Sequence, residues 1–271
     1  MPTVVHVNEI DAPEVLDYVG LRDRELRVRG RRSESGQSVF VAEGDVVVNR
    51  ALRAGFRMRS VLVDASRLDR SELDLPEDAL VVAAGPELVT AITGMGVHRG
   101  SVAIFERRLP PAMSEIMEVS RRLLVLEGVM NPINLGVIVR SAVALGMDAM
   151  LLDEQCADPL YRRSSRVAMG EVFDFPYAWC GSVVDALTTL VAAGFITVAL
   201  TPDVDASDIS TLRFGDEDRV ALVLGSEGPG MSRDARARCS VEARIPLVGR
   251  VDSLNVGAAA AVAMYVIGTV E

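Results

Sequence analysis

Residues 220–230 read Val-Ala-Leu-Val-Leu-Gly-Ser-Glu-Gly-Pro-Gly: five apolar residues run unbroken into a turn built on Gly225, Gly228 and Gly230. A run that is apolar at every position, with no polar alternation, fits a strand covered on both faces, as in a parallel sheet flanked by helices. Working outward, 123–126 is a second such run, and 149–152 and 195–200 are two more. Helical segments alternate with them: 133–145 up to Gly146, 182–193 up to Gly194, and 253–267, with a short strand expected at 244–247. Each of the first two helices stops at a glycine, the usual C-terminal signal. Repeated strand–helix alternation predicts an α/β fold with a mostly parallel sheet and helices on both sides.

Upstream, 38–106 alternates on a smaller scale. Strands are expected at 38–42, 59–63, 80–84 and 101–105, with helices at 45–54 (ending at Gly55) and 87–93 (started by Pro86). Pro110 and Pro111 open a mixed segment with the look of a linker. The expected organisation is a small α/β domain over 1–110, a linker over 111–120 and a larger α/β domain over 121–271.

With 271 residues, 49 % of them hydrophobic, the chain can bury a core without disulfides. Its net charge of −10 argues against a general nucleic-acid binder. The distribution tells a different story. Every basic side chain other than histidine is arginine, and Arg22, Arg24, Arg27, Arg29, Arg31 and Arg32 crowd one short stretch. Arg162, Arg163 and Arg166 form a second group. Such runs are either a solvated face or a phosphate-binding surface, and arginine suits the second through its bidentate fork. Three widely spaced cysteines, Cys156, Cys180 and Cys239, support neither a disulfide framework nor a metal site. The N-terminal residues lack a signal-peptide pattern, and the apolar stretch 256–266 is too short to span a membrane. The expectation is a cytoplasmic protein with no metal and no membrane contact.

Three segments carry candidate chemistry, each where a strand ends, which is where ligands bind in open α/β sheets. The first is Asn131-Pro132-Ile133-Asn134-Leu135-Gly136 with Arg140 beyond it. Asn134 is expected to cap the following helix. At roughly 100° per residue Asn134 and Arg140 do not share a helical stripe. On spacing and propensity alone, a capped helix with a surface arginine is the favoured reading of this segment. The second is 224–230, whose glycines let backbone approach a ligand. It is neither a Walker loop nor a GxGxxG turn, and Glu227 within it suits a cationic or hydroxyl-bearing ligand better than a phosphate. A tight turn with a solvated acid is the plain alternative. The third is 245–256, where a strand breaks at Pro246 and Ser253 is expected to begin an alanine-rich helix.

The order and spacing of the three segments resemble the three motifs of the SpoU/TrmH family in the SPOUT class of RNA methyltransferases. The first motif matches at Asn134, Gly136 and Arg140, and the second from Leu224 to Gly230. The third matches at Ile245, Pro246, Ser253, Leu254, Asn255 and Val256. Leu247 replaces a frequent Met, and Gly257 stands where the family often has Ser. The resemblance is strong over about 120–271. It reaches more weakly into 41–55 (VAEGDVVVNRALRAG) and His98-Arg99-Gly100, which look like an RNA-recognition domain akin to a large-subunit ribosomal protein.

The resemblance implies a trefoil knot in the C-terminal domain and S-adenosyl-L-methionine as cofactor. It implies transfer to a ribose 2′-hydroxyl of structured RNA, ribosomal RNA before transfer RNA, and a homodimer that completes the active site. It assigns a catalytic role to Asn134, Arg140, Glu227, Ser253 and Asn255. Cofactor contacts fall to Leu224, Gly225, Ser226, Gly230, Ile245, Pro246, Leu247, Leu254 and Asn255. Arg29, Arg31, Arg32, Arg140 and Arg166 are the candidates for RNA. Two rival readings remain: a catalytically silent RNA-binding relative, and an ordinary nucleotide-dependent α/β enzyme using the 225–230 loop.

Overall fold

A computed structural model describes residues 2–19, 38–70, 72–93 and 100–268. Arg22, Arg24, Arg27, Arg29, Arg31, Arg32 and the His98-Arg99 pair lie outside the described residues. Along the chain the first elements are β1 (Thr3–Val7), β2 (Val39–Glu43), α1 (Asp45–Arg53), β3 (Met58–Asp64), β4 (Leu80–Ala84), α2 (Pro86–Thr93) and β5 (Val102–Glu106). Next come α3 (Met113–Val119), β6 (Arg122–Leu126), α4 (Pro132–Ala144), β7 (Ala149–Asp153), α5 (Arg162–Val167) and β8 (Tyr177–Gly181). The last are α6 (Val183–Ala192), β9 (Phe195–Leu200), β10 (Ser207–Asp208), β11 (Arg219–Leu224), α7 (Arg233–Arg238), β12 (Val241–Arg244) and α8 (Val256–Ile267). They fall into two compact units, Met1–Leu109 with Leu160–Phe173, and Pro110–Pro159 with Asp174–Glu271.

The first unit is built on a five-stranded sheet in the order β1-β4-β3-β5-β2. β1, β4 and β3 run parallel, and β5 is antiparallel to both β3 and β2. α1 buries the stripe Val47, Val48 and Ala51 and stops at Gly55, whose positive φ of 75° only glycine adopts without strain. Tyr18 is fully buried, and its hydroxyl is satisfied by Ser60 Oγ at 2.6 Å. A polar group buried without such a partner would cost a large part of what the ring contributes. Phe40 carries a ring cluster on which Phe56, Phe105 and Phe173 pack, at 5.0, 5.3 and 5.3 Å between centroids.

The second unit holds seven strands, all parallel, in the order β10-β12-β9-β11-β6-β7-β8. β11, the strand that leads into the glycine-rich turn, is central, with Leu222 beside Leu124 of β6 and Val198 of β9. Residues 123–126 and 220–223 are wholly inaccessible, as their unbroken hydrophobicity requires. One face packs on α3, α6 and α7 through Ile116, Met117, Leu187, Leu190 and Ala235. α8 packs against α4 and β11 and buries Ala260, Ala263 and Met264.

Four local expectations are corrected. The segment 111–120, expected as a linker, contains α3, which buries Ile116 and Met117 and is started by Glu115 accepting from the Ala112 amide at 2.6 Å. The strand expected at 244–247 is β12, ending at Arg244; Pro246 has no N–H to extend a ladder. The last helix begins at Val256, not Ser253, because Asn255 is its cap. α4 is capped by Asn131, not Asn134: Asn131 Oδ1 accepts from the Ile133 amide at 2.9 Å, and Pro132 takes the first helical position, where no N–H is needed. No helix among the described residues is long and apolar enough to cross a membrane.

Candidate active site

The carboxyl ends of β9, β11 and β12 in the second unit lead into loops that enclose a cavity of about 490 Å³. Leu224 and the glycine-rich turn to Met231 form one wall, Ile245 and Leu247 another, and Ser253 to Val256 a third. Gly225 has a steric reason to be glycine: a Cβ there would stand 2.2 Å from the Met231 amide nitrogen. Gly228 and Gly230 adopt φ of 109° and 74°, and Ser226 Oγ closes the turn by donating to the Gly230 carbonyl at 3.1 Å. The turn thereby holds Glu227 against the cavity.

A directed chain of hydrogen bonds fixes Glu227. Asn255 Oδ1 must accept, because it caps α8 by taking the amides of Gly257 and Ala258 at 2.9 and 3.4 Å. Its amide nitrogen is then left to donate to Asn134 Oδ1 at 3.1 Å. Asn134 in turn points its own Nδ2 at Glu227 and donates to its carboxylate. Both amide orientations follow from the helix cap, so an acceptor is matched to a donor at every step. Asn134 is 7 % exposed, and without this chain its side chain would be an unsatisfied buried amide. Gly257 supports the close crossing behind it: a Cβ there would come 2.9 Å from Val137 Cγ1 on α4. That accounts for glycine at a position where serine would press on Val137.

Arg236 on α7 also reaches the cavity wall. It donates to Asp203 at 2.9 Å and to Glu242, joining the loop after β9 to β12. The hydrogen bond from Arg236 holds the Asp203 carboxyl below the usual carboxylate range, and the paired acids push the guanidinium further up.

Ten sequence-predicted residues line this cavity: Leu224, Gly225, Ser226, Glu227, Gly230, Ile245, Leu247, Ser253, Leu254 and Asn255. Pro246 lies between two wall residues without lining the space, and Asn134 stands behind Glu227. Arg140 is on the exposed side of α4, outside the wall, and makes no hydrogen bond or ion pair among the described residues. Arg166 belongs to the first unit, on α5, where it pairs with Glu43 at 2.9 Å. Thr201, Pro202, Met231 and Arg236 join the wall without having been singled out. The signal for the first two was available, since Thr201 directly follows the apolar run 195–200. Among the described residues no group of His, Cys, Asp and Glu is arranged to hold a metal ion.

Comparison with known proteins bears on this geometry. The SpoU rRNA Methylase family matches residues 121–265. An uncharacterized tRNA/rRNA methyltransferase of Mycobacterium tuberculosis is 35 % identical over 97 % of this chain and 91 % of its own length. The 23S rRNA (guanosine-2′-O-)-methyltransferase of Bordetella pertussis is 32 % identical over 81 % of this chain and 92 % of its own. The AdoMet-bound rRNA methyltransferase from Sinorhizobium meliloti superposes with a TM-score of 0.76 at 26 % identity, covering 97 % of each chain.

Proposed function

The chain belongs to the SpoU rRNA methylase family, and from that membership we propose that it moves a methyl group from S-adenosylmethionine to a ribose 2′-hydroxyl of ribosomal RNA. The observation that carries the reading is the Asn255–Asn134–Glu227 chain set into the wall of the cavity.

The cavity fits the cofactor. Its volume of about 490 Å³ is that of a small-molecule site. Leu224, Ile245 and Leu254 offer apolar surface for an adenine ring, and Gly225 and Gly230 line the space beside them without bulk. The lining carries no phosphate cradle: Arg236 is already held by two carboxylates, and Glu227 faces the space. A sulfonium nucleoside suits such a lining better than a nucleoside triphosphate does. When bound, the cofactor supplies a methyl group already activated on a sulfonium.

The protein's part is alignment, which in well-oriented reactions contributes on the order of 7–11 kcal/mol of barrier lowering. Glu227, held by Asn134, orients the 2′-hydroxyl, with Ser253 and Asn255 alongside. Arg140, exposed and unengaged among the described residues, grips the adjacent phosphate and steadies the developing oxyanion. A guanidinium rarely surrenders its proton, which favours a clamp over a base. Arg166 and the arginine-rich stretch with Arg29, Arg31 and Arg32 hold the RNA backbone. The same reading includes a trefoil knot in the C-terminal domain, a homodimer that completes the site, and work in the cytoplasm. Ribosomal RNA is favoured over transfer RNA by the substrate named for the Bordetella relative.

Labelled methyl transfer to separate ribosomal and transfer RNA pools, followed by nucleoside analysis, tests the proposal. A 2′-O-methylnucleoside from ribosomal RNA is expected; a methylated base, or label in transfer RNA alone, would overturn it. Arg140→Lys should cost at least tenfold in kcat/KM, and near-wild-type activity would refute the bidentate clamp.

A further inference from the structure

Five charged side chains of the first unit are organised around α5. Glu43, at the end of β2, is 11 % exposed at its side chain, and one oxygen pairs with Arg162, itself 10 % exposed. The other oxygen pairs at 2.9 Å with Arg166, which is 62 % exposed. Arg162 and Arg166 are four residues apart, so one turn of α5 brings both to the same carboxylate. Next to them Arg50 of α1 donates to the Met169 carbonyl at 2.7 Å and pairs with Glu171. Gly170 makes room for its stem: a Cβ there would lie 3.0 Å from Arg50 Cβ and Cδ. The set thus holds three cations against two anions.

One atom does not balance. Arg162 Nε is buried with no hydrogen-bond partner among the described residues. A buried arginine with an idle donor is costly, and a core position needs none, because an apolar side chain of similar volume packs at least as well. The cost is intelligible if Arg162 serves to neutralise Glu43, and Glu43 serves to fix an exposed arginine. Arg166 spends one guanidinium nitrogen on Glu43 and keeps further N–H groups for another acceptor. Tethering also removes much of the rotamer freedom that a free surface arginine loses on binding.

We propose that Glu43, Arg162 and Arg166 form a phosphodiester-binding device for the RNA substrate, with Arg166 as the contact and Glu43 and Arg162 as positioning residues. The inference rests on the RNA-acting reading above. It makes a prediction of unusual sign. The chain carries a net charge of −10, so electrostatics alone says that deleting a carboxylate strengthens RNA binding. The tether says that deleting this one weakens it.

The test is fluorescence anisotropy of an unmodified 23S ribosomal RNA transcript with wild type, Glu43→Gln, Arg166→Gln and the double variant, across a salt series. Arg166→Gln, a change at an exposed position, should weaken binding about tenfold at low salt and reduce the log–log salt slope by about one. Glu43→Gln should weaken it about three- to tenfold, and the double variant should be no weaker than Arg166→Gln alone. Glu43→Gln binding as tightly as wild type or tighter, an unchanged slope for Arg166→Gln, or fully additive losses would each overturn the device. Inorganic phosphate at fixed ionic strength should not displace the RNA; displacement would assign the site to free phosphate. Failure of wild type to bind the transcript would instead bring down the RNA reading, and the device with it.

Discussion

Gly225→Ala is the sharpest single perturbation of the cavity. The added Cβ would sit 2.2 Å from Met231 N, 2.4 Å from the Gly230 carbonyl carbon and 2.6 Å from Met231 Cα, where ordinary contact begins at 3.4 Å. All three are backbone atoms, so no rotamer change relieves the clash. The turn must open by more than an ångström, which stretches the Ser226–Gly230 bond of 3.1 Å and carries Glu227 with it. Overpacking of this kind costs about 1–3 kcal/mol, a melting-temperature loss of roughly 2–10 °C for a chain of this size. Displacing an aligned group by about 1 Å costs on the order of a hundredfold in rate. Calorimetric titration with S-adenosylhomocysteine should show at least a tenfold weaker Kd, and scanning fluorimetry a matching loss of stability. If G225A bound the ligand within twofold of wild type and melted at the same temperature, the steric reasoning would be wrong.

Asn134→Asp keeps the shape of the side chain but turns the donor facing Glu227 into an oxygen; kcat/KM should fall about a hundredfold while cofactor affinity changes less than threefold. Equal losses in both would mean that Asn134 only supports the fold. Burial pushes the Cys180 and Cys239 thiols up to about 11 and Cys156 higher still. Thiolate is therefore scarce at neutral pH, and iodoacetamide labelling of the native protein near pH 8, followed by mass spectrometry, should be slow at all three and quicken toward pH 11. Fast labelling near pH 8 would contradict the burial. Asp203 is held below the usual carboxylate range by Arg236, so it stabilises the fold above that range and loses this contribution as pH falls through the depressed value. Arg236→Gln should lower the melting temperature near pH 7, and the gap to wild type should close in acid below about pH 4. A gap that does not vary with pH would rule the ion pair out as its cause.

Much of the second unit is legible in the sequence because its signals are local. The runs 123–126 and 220–224 carry their burial in composition, and Gly146 and Gly194 mark helix ends by a backbone conformation that other residues avoid. Which asparagine caps α4 is not decided that way. Asn131 and Asn134 are both competent, and the choice falls to Pro132, which fits the first turn and leaves Asn134 inside the helix. α3 escapes notice since it is short and buries only Ile116 and Met117 behind a proline pair. The residues of the Asn255–Asn134–Glu227 chain stand out by resemblance, but their connection needs α4 brought against the turn after β11 and the start of α8, across 93 and 121 positions of the chain. Arg236 has only half of its setting nearby in the chain: Glu242 stands six positions on, but Asp203, 33 positions back, joins them only when β9 and β12 pair.

The aromatic corner of the first unit bears on how the chain is made. Phe173, which packs on Phe40 and Phe56, follows β6 and β7 of the second unit in the chain. A nascent chain that has completed β5 therefore still has one side of that corner open to water. It stays open until the ribosome has delivered β6 and β7 of the second unit, so the first unit cannot be completed before the second is begun. A fragment ending near residue 109 would carry the five strands and still present Phe40 and Phe56 as a sticky edge. Anyone dividing this protein for expression would meet aggregation before meeting a domain.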